Sequence, residues 1–228
     1  MRTLSVVLPS APASPHIPEA LAEYRAALAQ LGAEWELLLV PDATDAGSVE
    51  QARALAGERV AVAPADGPGW GRAVKTGLGA ATGDVLAYAN SSRTSGETLA
   101  LVASIALERD VVAKPNRRST DGVAQRLGSL AFNAECRFLF DLADWDVNAT
   151  PKAFPRSFDR LLHIEEDGDL FDLELIAVCR RERYPLVEAP VDTRPWRLDW
   201  PKRMVPWGAR NYVDAVRLRR RLGSPGRA

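Results

Sequence analysis

Four short runs, SVVLP (residues 5–9), ELLLVPD (36–42), RVAVAP (59–64) and DVLAYAN (84–90), are almost continuously apolar. Segments of helical spacing (17–30, 48–55 and 71–81) separate them. A strand that does not alternate has no wet face, so these runs predict a sheet covered by helices on both sides. Strand and helix in alternation further imply βαβ units, parallel pairing and right-handed crossovers. A chain of 228 residues, 46% of them hydrophobic, suits one ordinary α/β domain with a sizeable core.

After residue 120 the pattern changes to longer helices, about 122–141 and 169–183, followed by a strand LVEAPVD (186–192). This reading gives a domain over residues 1–193 and an arm over 194–228, rich in Trp, Pro and Arg, that ends in a basic helix. Between 194 and 221 the arm carries nine Lys or Arg against Asp199 and Asp214, with Trp196, Trp200, Trp207 and Tyr212 interleaved. Such a composition suits an anionic membrane surface, or tryptophans that pack on the domain beneath a solvated basic face. A formal net charge of −1 and the lack of a recognisable motif give no expectation of a nucleic-acid partner.

The first ten residues hold too short an apolar run for a signal peptide, and the stretch 99–107 is about half of the roughly 20 residues a bilayer-spanning helix needs. A cytoplasmic protein, peripheral to a membrane at most, is therefore expected. Cys136 and Cys179 stand singly without a CxxC or a nearby His, so they are expected to be buried thiols rather than zinc ligands or a disulfide. His16 and His163 are expected at the surface.

In an open α/β sheet, ligands bind beyond the carboxyl ends of the strands. That rule brings forward Ser10, Asp42, residues 90–93 and Lys114, with Thr94 and Glu97 spaced as a capping box for the helix that follows. The run GWGRAVKTGLGAATGDVLAYANSSRTS (69–95) adds a Gly-rich turn, whose glycines serve either a ligand or close helix packing.

These blocks, in order over residues 3–193, resemble the GT-A fold of the inverting family 2 glycosyltransferases, and in particular the dolichyl- and polyprenyl-phosphate sugar synthases. SVVLP resembles the opening strand, ELLLVPDATD the second strand with its Asp-rich loop, and GWGRAVKTGLGAATGDVLAYAN the Gly-rich helix and the strand before the metal motif. DWDVNATPKAFPR and FDLELIAVCRRERYPLVEAPVD resemble the later Asp-containing turn and the closing helix and strand. The resemblance implies a nucleoside-diphosphate sugar as donor and an acceptor that could be a polyprenyl phosphate. Among donor-site residues it marks Pro9, Gly71 and Asp42, the last as partner of the nucleotide base; read from the residues alone, Asp42 is a turn acid ahead of a helix.

The family usually places Asp-x-Asp after the fourth strand, where a divalent cation neutralises the departing diphosphate. Asn90, Ser91 and Ser92 stand there instead, and Trp70 replaces the Lys often found in the Gly-rich turn. Mg2+ or Mn2+ remains conceivable as cofactor, but its usual carboxylates are absent and no residue is assigned as a metal ligand. Two readings follow. In one, Arg93, Lys114, Arg117 and Arg118 replace the cation, because guanidinium groups hold phosphoryl oxygens bidentately. In the other, catalysis is lost and the fold serves binding or regulation. The candidate catalytic residues are Asp146, Lys152 and Arg93; Asn90, Ser92, Lys114, Arg117, Arg126 and Arg156 are the remaining substrate-binding candidates. Glu174 is expected in a salt bridge or on a solvated face.

Overall fold

The computed structural model describes residues 2–10, 15–118, 123–143, 146–192 and 204–223. Strands β1 (Leu4–Ser10), β2 (Trp35–Pro41), β3 (Val60–Val62) and β4 (Val85–Tyr88) alternate with helices α1 (Ile17–Leu28), α2 (Ala46–Leu55) and α3 (Trp70–Ala80). Then follow α4 (Gly96–Glu108), β5 (Val112–Arg118), α5 (Val123–Phe140), β6 (Lys152–Pro155), α6 (Phe171–Glu182), β7 (Leu186–Asp192) and α7 (Met204–Leu222). The seven strands form one sheet in the order β3-β2-β1-β4-β6-β5-β7. All neighbours are parallel except β6, which runs antiparallel to both β4 and β5.

Strands β1, β2 and β4 are covered on both faces, as their lack of alternation requires, whereas β3, at the sheet edge, leaves Ala61 exposed. Val6, Leu8, Leu37 and Leu39 pack with Leu21, Tyr24, Leu99 and Val102 of α1 and α4. Val7, Leu38 and Val40 point the other way, onto Val74 and Leu78 of α3 and a layer that includes Phe171 and Leu175 of α6. The arm's helix α7 joins this second layer through Ala215 and Leu218, and Tyr212 meets Phe132 of α5 edge-on at 5.9 Å. Residues 194–203, with Trp196 and Trp200, and the side chain of Trp207 lie outside the described residues. Among the described residues no helix is long and apolar enough to cross a membrane.

The structure differs from the sequence expectation at several points. The PKAFPR segment, expected as a turn, contains β6. Lys114, Arg117 and Arg118, candidates for a loop beyond the strand ends, lie within strand β5 itself, which pairs with β7 through Arg118 and Asp192. The cap of α4 is Ser95, whose hydroxyl accepts the Thr98 amide at 3.2 Å; Thr94 instead is buried with its hydroxyl unpartnered. Cys136 and Cys179 are free and buried, and burial pushes the Cys136 thiol up to about 12.

Candidate active site at the carboxyl ends of the parallel strands

The sheet's directions decide which candidates can meet. β1, β2, β4 and β5 point the same way, so Ser10, Asp42, Asn90 and Arg117 come to one edge. β6 runs back, so its first residue Lys152 starts at that edge, opposite Tyr88, while Arg156 lies beyond Pro155 at the far one. Arg156 is thereby removed from the crevice: its guanidinium donates to the carbonyls of Gly83 (2.8 Å) and Ala81 (2.6 Å) behind α3.

At the near edge, short polar side chains first satisfy their own loops. Asp42 Oδ1 accepts the Thr44 amide (2.9 Å) and hydroxyl (2.7 Å), and Asn90 Oδ1 accepts the Ser92 amide (3.1 Å) and hydroxyl (2.6 Å). Both are Asx turns, in which the side chain takes a backbone role. Pro9 lies in β1 beside Val40. Ser91 and Ser92 are buried, and Arg93 is half-buried with contacts of its own. His16, expected at the surface, instead opens α1 and places Nε2 3.0 Å from Ser91 Oγ. Ser10 is buried with its hydroxyl unpartnered.

The basic candidates are already occupied. Lys114 is fully buried and pairs with Glu188 at 2.5 Å. Arg117 grips Asp146 as a fork, Nε to Oδ2 and Nη2 to Oδ1, both at 2.6 Å. Burial pushes the Asp146 carboxyl up, but the Arg117 fork and the charge of Lys114 more than offset it, so its pKa is lowered. Lys152, a catalytic candidate in the sequence, is fully buried: it donates to the carbonyls of Val147 (3.0 Å) and Ala149 (2.8 Å) and pairs with Asp172. Burial lowers its pKa against the pull of Asp172. It braces the turn that carries Asp146 rather than facing solvent. The Arg126 side chain lies outside the described residues.

The Gly-rich turn is a packing device. Gly71 donates its amide to Gly168 O (3.2 Å) and Arg72 to Asp167 O (2.9 Å), so residues 165–168 cap α3 where a phosphate would otherwise sit. A Cβ at Gly71 would overlap the Glu166 carbonyl oxygen and approach Phe171 Cβ to 2.9 Å, and Gly69 adopts φ 135°, open only to glycine. Asp167 is held by Arg72 (3.0 Å) and Lys75 (2.6 Å). Glu174 anchors the same loop from below, accepting the amides of Glu165 (3.2 Å) and Glu166 (2.8 Å) and pairing with Arg221 of α7 (3.0 Å).

Sequence reasoning missed the hub of this region, Asp172. Its Oδ1 accepts Tyr88 Oη (2.7 Å) and Lys152, and its Oδ2 accepts Trp70 Nε1 (2.9 Å). The available signal was two acids in one turn of an otherwise apolar helix, FDLEL, since buried charge demands partners.

Among the described residues no three His, Cys, Asp or Glu side chains gather, and the Asn90 carbonyl oxygen accepts from Ser92.

The model of glycosyl transferase family 2 matches residues 5–124, from β1 to the start of α5. The chain belongs to this family. A search of the curated proteins finds no match. Among solved structures, this family 2 chain is similar to glucosyl-3-phosphoglycerate synthase from Mycobacterium tuberculosis in complex with Mn2+, UDP and phosphoglyceric acid. The TM-score is 0.74 at 19% identity, over 99% of this chain and 80% of that one. The same synthase with Mg2+ and UDP gives a TM-score of 0.68 at 19% identity, over 96% and 79%. A further mycobacterial protein gives 0.71 at 19% identity, over 96% and 74%. At this identity the likeness establishes the fold: the seven-stranded sheet is that of a GT-A glycosyltransferase.

Proposed function

We propose that the chain transfers a sugar from a nucleoside-diphosphate sugar to an acceptor that is already anionic, a phosphate ester or a polyprenyl phosphate, with inversion and with less need of a divalent cation than Asp-x-Asp enzymes. The observation that carries this reading is the state of Asp146. A carboxylate held in a bidentate fork, with its pKa lowered, is a poor proton acceptor for a neutral hydroxyl. An acceptor phosphate needs no base, because its oxygen is charged at neutral pH. Similar structures hold UDP together with phosphoglyceric acid, an anionic molecule, which supports the anionic character of the acceptor though not the identity of its attacking oxygen. In this reading Asp42 meets the base, the Asn90 amide and Ser92 line the diphosphate, and Arg93 supplies charge near the leaving group.

A second reading, a silent binding or regulatory protein on the same fold, draws on a specific observation. Lys114, Arg117, Lys152 and Arg156, which could have served a diphosphate, all engage acids or carbonyls of their own chain. Incubation with nucleotide sugars and phosphorylated acceptors, reading released nucleoside diphosphate, separates the two. The first predicts release that requires both substrates; donor binding without release under any acceptor would favour the silent scaffold.

A further inference from the structure

Trp70 lies beside the carboxyl end of β4, packed against the core and tied to its neighbours. It is the first residue of α3, and its ring lies 6.2 Å from that of Tyr88, the last residue of β4, in an edge-on arrangement. Its Nε1 is tied to Asp172, a buried carboxylate that Tyr88 and Lys152 fix from the other side. The glycines on either side lie so close to the carbonyls of Glu166 and Asp167 that a Cβ on either would overlap them. The residue as a whole is half-buried.

We infer that Trp70 is a stacking platform for the sugar ring of the donor. The inference rests on the reading above and deepens it. A pre-oriented aromatic ring loses little conformational freedom on binding, and it presents an apolar face to the C–H face of a hexose. Position selects the sugar over the base. Asp42 follows β2, whereas Trp70 adjoins β4 and α6, and the order β2-β1-β4 separates the two by two strand spacings, about 10 Å. A donor anchored by its base at Asp42 and crossing β1 brings its diphosphate to residues 90–92 and its sugar over Trp70.

The test titrates UDP-glucose and GDP-mannose, each beside its free nucleoside diphosphate, into the parent, Trp70→Phe and Trp70→Leu by calorimetry. Saturation-transfer NMR on the parent serves as a readout that needs no variant. The expected result is a loss of about tenfold in nucleotide-sugar affinity for Trp70→Leu, unchanged nucleoside-diphosphate affinity, near-parent binding for Trp70→Phe, and strong transfer to hexose ring protons. Equal loss for the nucleotide and its sugar, no loss at all, or transfer confined to base and ribose would overturn the platform while leaving donor binding intact. A folded parent that binds no donor would overturn the proposed function itself, and the platform with it.

Discussion

Replacing Asp172 by Asn removes one charge and little volume, and the structure specifies the consequence. Lys152 loses its carboxylate and keeps only the carbonyls of Val147 and Ala149, while the new amide nitrogen can face the Trp70 N–H, donor against donor. Breaking a buried ion pair from one side costs about 3–5 kcal/mol, so we expect Asp172→Asn to lose about 4 kcal/mol. For a chain of this size that lowers Tm by roughly 10 °C. Urea unfolding followed by far-UV circular dichroism measures the loss. The variant also has a pH signature. Burial lowers the folded pKa of Lys152 below its unfolded value, further once Asp172 is gone, so the unfolded state binds more protons and the variant's deficit shrinks as pH rises towards the ordinary lysine value. Removing both charges in Asp172→Asn/Lys152→Met should recover about 2 kcal/mol or more of the deficit, because no unpaired charge remains buried. An Asp172→Asn protein within about 1 kcal/mol of the parent, or a strictly additive double variant, would refute the hub.

Other sites give expectations of different sign. Asp146 has a lowered folded pKa, so its contribution is present above the unfolded value and lost as pH falls through the folded one. Asp146→Asn should be less stable than the parent at pH 7, with the gap closing in acid unfolding at pH 3 and below. Gly71→Ala, which forces a methyl into the Glu166 carbonyl, should cost more than about 2 kcal/mol, whereas Gly79→Ala, where nothing lies within 4 Å, should gain about 0.4–1 kcal/mol. Thermal melts of the two variants test this contrast. Ser95→Ala should cost about 1 kcal/mol as a lost cap. Thr94→Val should be nearly neutral, because the buried Thr94 hydroxyl has no partner to lose.

The parallel core was legible because a strand buried on both faces must be continuously apolar, and β1, β2 and β4 fall within a residue or two of their expected ends. β6 escaped because four residues, KAFP, with prolines at position 151 and at its end, read as a turn until β4 and β5 are known to flank it. The site was legible as a place, the strand ends at Asp42 and Asn90, but not as a set of charges. Lys152 and Arg156 are four residues apart in a basic segment, yet one is sealed against Asp172 and the other lies at the opposite edge of the sheet. Nothing local announces either fate. The Arg117–Asp146 fork likewise joins residues 29 apart through a loop whose course depends on α5. Gly71 followed the opposite path: its helix-packing use was open in the sequence, and the loop 165–168 that it receives could be recognised only in three dimensions.

In the proposed function a nucleoside-diphosphate sugar binds at this edge of the sheet without a carboxylate-held cation. Calorimetry of a nucleotide-sugar panel in EDTA and in Mn2+, on the parent and on Asp42→Ala, measures this. The expected result is donor binding that persists in EDTA and weakens about tenfold in Asp42→Ala, the loss of one carboxylate hydrogen bond to the base. Binding that appears only with saturable, micromolar Mn2+, or donor affinity unchanged in Asp42→Ala, would contradict it.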